Sequence, residues 1–208
     1  MLEINEIYHA AEVLKGVVRH TELIRAPKFN PDVDIYIKPE CLQLTGAFKL
    51  RGAYYKISQL TEEEKAKGVI ACSAGNHAQG VALAATHNGI RSLICLPAGA
   101  PLSKIEATRG YGAEVCLVPG VYDDAYAKAV ELQQKHGYTF VHPFDDPKVI
   151  AGQGTIGLEI LQDMPDVEAV VVPIGGGGLI SGVAFAIKTL RPDVKVYGVQ
   201  SSGAPSMA

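Results

Sequence analysis

No C-x-x-C pair occurs among the cysteines at 41, 72, 95 and 116, and no histidine stands at zinc-ligand spacing from them. A metal knuckle and a redox dithiol are therefore not expected, and the four read as small buried hydrophobes of a reducing compartment. There is no basic surplus either: 19 Lys and Arg stand against 22 Asp and Glu, a net charge of −3. That balance gives no broad attraction to nucleic acid or to anionic lipid. The opening Met1-Leu2-Glu3-Ile4-Asn5-Glu6 has neither a basic nor an apolar leader region, and no apolar run approaches the ~20 residues that span a bilayer. A cytoplasmic chain with no membrane or nucleic-acid partner is expected. Internal repeats, low-complexity segments and heptads are missing as well. Tryptophan is absent, but nine Tyr and five Phe, with 48% hydrophobic and 20% charged residues, make an ordinary globular composition, so disorder is not expected. The 208 residues suffice for one large or two small domains.

What is present is an alternation of strand and helix patterns. Ile7, Ala10, Ala11, Leu14 and Val18 recur at helical spacing over Asn5 to Val18, and a proline-containing surface excursion follows. Asp34 to Lys38 alternates as a strand, a loop covers Pro39 to Gly46, and Ala47 to Leu60 returns to helical spacing. Strands at Gly68–Cys72, Ser92–Leu96, Glu114–Val118 and Tyr138–Val141 then alternate with helices running through Ala85, near Lys104 and over Asp123–Lys135. After Asp145-Asp146-Pro147 come a helix over Gly152–Gln162, a strand at Ala169–Pro173, a helix over Leu179–Leu190 and a strand at Lys195–Val199. Single helices between strands are the pattern of an α/β protein with a mainly parallel sheet. Residues 68 to 145 read as one compact unit. The ending Ser201-Ser202-Gly203-Ala204-Pro205 has the look of a connection into further structure, and the chain reads as a fragment.

Three features carry chemistry. Gly175-Gly176-Gly177-Gly178 lies between an apolar strand and an apolar helix, where bare amides and a helix N-terminus converge on an anion. A flexible turn is the plainer explanation, but four glycines carry an entropic cost of roughly 1 kcal/mol each. Neither G-x-G-x-x-G nor a Gly-Lys-Ser/Thr P-loop fits, which implies a phosphorylated ligand of another kind. Ser73-Ala74-Gly75-Asn76-His77 also follows a strand and opens a helix; it is a second anion cradle or a simple helix cap. His77 could equally be a buried, hydrogen-bonded core histidine. Lys49 sits between Phe48 and Leu50 in the first turn of a helix, where the helix dipole, Arg51 and burial would all lower its pKa; alternatively it is a solvated surface lysine. Two anion cradles and an amine that can be neutral are together what pyridoxal phosphate acting on an amino acid requires.

Four segments in order resemble the fold-type II pyridoxal-phosphate enzymes, and within them the threonine dehydratases: Thr45-Gly46-Ala47-Phe48-Lys49-Leu50-Arg51-Gly52-Ala53, Ala71 to Gly80, Asp145 to Gly157, and Pro173 to Leu179. The resemblance covers almost the whole chain. It implies two lobes, with residues 68–145 a small domain inserted in an incomplete large one formed by 1–67 and 146–208, and the cofactor between them. By the same resemblance Lys49 would hold pyridoxal phosphate covalently and later take the α-proton, Phe48 would pack on the ring, and Asn76 would bond its phenolic oxygen. Gly175, Gly176, Gly177, Gly178 and Leu179 would hold the phosphate. Ser73, Gly75, Asn76 and His77 would receive the amino-acid carboxylate, with Gln153 near the substrate pocket. The implied reaction converts threonine, and serine, to a 2-oxo acid and ammonia, in a homo-oligomer serving isoleucine biosynthesis or threonine degradation. Racemisation, threonine synthesis, β-replacement, or an inactive fragment that keeps a phosphate pocket are the alternatives. Two positions depart from the pattern. Ala47 replaces the family's serine before Phe-Lys, and Ala74 stands where serine racemases carry a serine that acts as acid and base. The family's partner for the pyridine nitrogen would lie beyond residue 208.

Overall fold

The computed structural model describes residues 2–207. Helix α1 (Ile4–Leu14) buries Ile7, Ala10 and Leu14, one stripe at three- and four-residue spacing. In the excursion that follows, β1 (Ile24–Arg25) pairs antiparallel with β2 (Tyr36–Ile37). Two 3-10 turns, Glu40–Leu42 and Leu44–Gly46, lead into α2 (Lys49–Ser58). There follow α3 (Glu62–Lys67), β3 (Val69–Cys72), α4 (Asn76–His87), β4 (Ser92–Pro97), α5 (Leu102–Gly110), β5 (Glu114–Val118), α6 (Tyr122–His136) and β6 (Thr139–Phe140). The last elements are α7 (Pro147–Asp163), β7 (Ala169–Pro173), α8 (Gly178–Leu190) and β8 (Lys195–Val199).

Strands β3 to β6 form one parallel sheet in the order β5-β4-β3-β6. Strand alternation sorts its side chains onto two faces. Val69, Ala71, Ile94 and Leu96 meet α2, α4 and α5, while Ile70, Cys72 and Cys95 meet Ala125 and Ala129 of α6. Both faces are covered, which is why β3 reads as a continuous apolar run. A second parallel pair, β7 and β8, packs through Val172 of β7, Val194 just before β8 and Val196 of β8 on Ile156 and Ile160 of α7 and Val183 and Ile187 of α8. The expected α/β class with parallel sheets flanked by helices is therefore present.

Helix α2 sits between the two sheets' helices, and glycines let it in. A Cβ on Gly80 of α4 would lie 3.1 Å from the backbone of Lys49 and Leu50. A Cβ on Gly152 of α7 would lie 2.6 Å from both the Arg51 carbonyl oxygen and the Gly52 Cα. On its far side, fully buried Arg51 is locked by Glu40 (2.8 and 2.9 Å) and Glu159 (2.5 and 3.0 Å). Lys38 joins the same cluster, 2.7 Å from Glu159.

Several boundaries differ from the expectations. Helix α1 stops at Leu14, four residues short of Val18, and α7 starts at Pro147, five before Gly152, because the Asp146 carboxylate caps it by accepting from the Lys148 and Val149 amides. Helix α3 was not expected. Thr61 and Glu64 close a reciprocal capping box over it, a signal legible as Thr-x-x-Glu. The loop over Pro39 to Gly46 is largely made of the two 3-10 turns. Cys72 and Cys95 are buried as expected, but Cys41 is exposed and Cys116 half-buried. No helix among the described residues is long and apolar enough to cross a membrane.

Candidate active site

In the four-stranded sheet, β3 leads through α4 to β4 on one side, whereas β6 returns to pair on the other. The C-terminal edge between β3 and β6 is thus a topological switch point, where open α/β sheets leave a crevice for ligands. Two connections leave from it. Ser73 to Gly75 leads into α4, and Val141 to Asp146 leads into α7. His77 ties them, its Nε2 donating to the Val141 carbonyl at 2.8 Å.

Lys49, the first residue of α2, reaches this edge. Its Nζ donates to the Pro143 carbonyl at 2.6 Å and lies 5.3 Å from the Phe48 ring centre. Burial pushes its pKa down to about 8. Arg51 was expected to add to that shift, but desolvation is the cause, since Glu40 and Glu159 neutralise the guanidinium. The next residue after Pro143, Phe144, lies against the glycine loop. A Cβ on Gly176 would stand 2.2 Å from the Phe144 ring, and one on Gly178 would stand 2.7 Å from the Phe144 carbonyl oxygen. Gly177 has φ +90°, open to glycine. Ser206 donates to the Gly175 carbonyl. Phe48 and Leu179 both pack against the β7–α8 core cluster, so the residues flanking the amine and the glycine loop rest on the same core.

Both cradles begin helices without a side-chain cap. The N-cap of α4 is Gly75 and that of α8 is Gly177, and neither helix start donates a first-turn amide to a side-chain cap. By contrast α3 and α7 are capped by Thr61 and Asp146. Uncapped first-turn amides at the positive end of a helix dipole favour an anion. Asn76 is exposed at the head of α4, and the Ser73 hydroxyl accepts from the Gly75 amide at 3.2 Å.

Two residues stand differently from the expectation. His77 is only 3% exposed and its ring faces the interior, which leaves only its backbone amide at the open start of α4. Burial lowers its pKa to about 3 against the pull of the Val141 carbonyl, with the charge of Lys49 adding to the effect. Its Nδ1 is buried without a partner. Gln153 is also interior, at 1% exposure between α2 and α7, where its Oε1 accepts from the Gly52 amide at 3.2 Å. It buttresses the Lys49 helix from behind and does not line an open pocket. His142 was missed. It neighbours Lys49 closely enough for that charge to lower its pKa, burial being the larger cause and Asp145 and Asp146 opposing. No sequence motif marks it beyond its place just after β6. Thr45, at the head of the lysine motif, takes φ 66°, the one positive-φ non-glycine among the described residues, and its buried hydroxyl has no partner.

Residues 14–208 match the family described as pyridoxal-phosphate dependent enzyme. The chain belongs to that family. It is 56% identical over 209 residues to an L-threonine ammonia-lyase of Thermotoga maritima, covering 100% of this chain and 52% of that protein. Among solved structures it is similar to the processed form of threonine deaminase isoform 2 from Solanum lycopersicum, with TM-score 0.92 and 43% identity over 99% of this chain and 58% of that one. It is also similar to maize serine racemase, with TM-score 0.95 and 35% identity over 98% of this chain and 63% of that one. The architecture is that of fold-type II pyridoxal-phosphate enzymes. The chain spans about half the length of the curated relatives it matches.

The family's cofactor fits these residues on the structure's own terms. It needs a neutral amine and a phosphate cradle, and here a buried lysine of depressed pKa adjoins a glycine-built, uncapped helix start where side chains would collide with Phe144.

Proposed function

We propose that this chain carries the amine and both anion cradles of a pyridoxal-phosphate-dependent threonine dehydratase, converting threonine to 2-oxobutanoate and ammonia and serine to pyruvate and ammonia. The observation that carries the reading is the Lys49 amine, buried and lowered to about 8 beside two uncapped helix starts. When bound, pyridoxal phosphate supplies an electron sink for the bond broken at the amino acid's α-carbon.

Lys49 would anchor the cofactor and, once the substrate's amino group has taken its place there, would as a free neutral amine take the proton from the α-carbon. Amides of Gly175, Gly176, Gly177, Gly178 and Leu179 hold the phosphate at the positive end of α8. The head of α4, through Ser73, Gly75, Asn76 and the His77 backbone, receives the substrate carboxylate, and Asn76 bonds the ring's phenolic oxygen. Phe48 packs against the ring. The β-hydroxyl would leave as water, the α-proton supplying its hydrogen in the net balance, and a water molecule would then release the nitrogen as ammonia and give the oxo acid. Residues 68–145 act as a small domain inserted between 1–67 and 146–208, with α2 packed on both and the site between them. The working protein is a cytoplasmic homo-oligomer that takes a small amino acid and neither nucleic acid nor membrane, in threonine degradation or isoleucine biosynthesis.

Racemisation is the competing reading, since a serine racemase is a close structural likeness. Ala74 argues against it: a methyl group packed on the hydrophobic core cannot deliver a proton to the opposite face of the substrate. Incubating the chain with cofactor and L-serine or L-threonine distinguishes the two. Elimination yields oxo acid and ammonia in equal amounts, lost in Lys49→Ala; accumulation of D-serine without oxo acid would favour the racemase.

A further inference from the structure

We infer that His142 is a positioning residue for Lys49: its ring fixes the turn from His142 to Asp145, which sets the Pro143 carbonyl on the lysine amine and Phe144 on the glycine loop. The inference rests on the reading of Lys49 as the reacting amine.

The segment lies between the end of β6 at Phe140 and the start of α7 at Pro147, outside helix and sheet, and Pro143 has no amide hydrogen to contribute. His142 supplies the missing organisation. Its Nδ1 accepts from the Asp145 amide at 2.7 Å and the Phe144 amide at 3.3 Å. A backbone N–H can only donate, so Nδ1 is unprotonated and a neutral ring carries its proton on Nε2. Asp146 makes the same pair of contacts, on amides two and three residues ahead, to start α7. The His142 ring also meets the Phe144 ring edge-on at 4.7 Å.

Two consequences are fixed by that one turn. The Pro143 oxygen is aimed at Lys49 Nζ, 2.6 Å away. Phe144 is held where only glycine fits at 176 and 178. Burial is the main influence holding the His142 ring neutral, as the turn requires; Asp145 and Asp146 oppose it, and the charge of Lys49 adds to it.

The test reads the Lys49 amine in the cofactor-free chain. Trace acylation with acetic anhydride over a range of pH, followed by peptide mass spectrometry, gives the titration midpoint of that one lysine. In the unaltered chain it is expected near 8. His142→Asn keeps a side-chain oxygen for the same amides and should keep that midpoint. His142→Leu keeps bulk without an acceptor, and its midpoint should move toward the ordinary lysine value of 10.5 as the turn opens and water reaches the amine. Circular dichroism checks that each variant is folded. A folded His142→Leu with an unmoved midpoint, or His142→Asn shifting as far as His142→Leu, overturns the inference. Should His142→Leu not fold, His142→Ala is read in its place: a midpoint moved toward the ordinary value supports the role and an unmoved one overturns it. A merely structural histidine would lower the denaturant midpoint and leave the Lys49 titration alone. Failure of the Lys49 reading itself is separate, appearing as no cofactor adduct at Lys49 in the unaltered chain.

Discussion

At the scale of single residues, strain and desolvation gather just before and at Lys49. Thr45, a β-branched residue at φ 66° with an unpaired buried hydroxyl, sits four positions upstream. Such a conformation costs ~1–3 kcal/mol, of which glycine's extra unfolded-state entropy would return only part. Thr45→Gly is therefore expected to raise stability by about 1 kcal/mol, read as a higher urea midpoint at unchanged slope. Lys49 itself destabilises the fold at neutral pH. Its folded pKa of about 8 lies below the ordinary 10.5, so the cost of burying its charge is fully present below pH 8 and is relieved as pH rises from 8 to 10.5. Lys49→Met should be more stable than the unaltered chain at pH 7, by about 2–3 kcal/mol, with the gap closing by pH 10.5. Denaturant curves at the two pH values check it; a gap independent of pH would mean the amine is solvated.

At the scale of elements, α2 is the piece on which everything is hung. Gly152 of α7 touches its backbone so closely that an added Cβ would meet main-chain atoms at 2.6 Å, and main chain cannot rotate away. Gly152→Ala should cost about 2–3 kcal/mol and displace Lys49 from Pro143, seen as a lower urea midpoint with weakened cofactor binding. Behind the helix, Arg51 bridges two carboxylates from different segments. Deleting one partner leaves buried charge uncompensated, so Arg51→Ala is expected to cost about 3–5 kcal/mol, whereas breaking an exposed, solvent-screened pair such as Arg91–Glu114 should change stability little.

At the scale of the whole molecule, the periodicities of two and 3.6 made most of the elements legible, and strands such as Glu114–Val118 and Lys195–Val199 coincide with their expected bounds. Helix α3 was not read because its six residues bury none of their side chains, leaving no apolar stripe; only its capping box speaks for it. Among candidate site residues, Lys49 and the glycine run stand out in the sequence because a lysine between apolar neighbours and four successive glycines are both costly without a use. Which way the His77 and Gln153 side chains turn was not, since a helix start or a glycine-rich helix does not say which neighbour will receive them. His142 acts through a turn that exists only once β6 and α7 are in place. His77 also sets an acid limit. Its folded pKa of about 3 lies below the usual 6.5, so stability is lost as pH falls through that interval, by up to about 1.4 kcal/mol per pH unit. His77→Gln, which keeps a donor for Val141 and cannot titrate, should flatten that part of the acid limb in denaturation measured from pH 6.5 downward.

The central claim is that Lys49 is the amine that takes pyridoxal phosphate, and one measurement addresses it directly: titrate the folded chain with the cofactor, reduce with borohydride, and locate the added mass by peptide mass spectrometry. The account predicts a single dominant adduct at Lys49, reached near stoichiometry and absent from Lys49→Ala. Adducts scattered over exposed lysines such as Lys15, Lys67 and Lys135, with none at Lys49 in a chain shown to be folded, would contradict it.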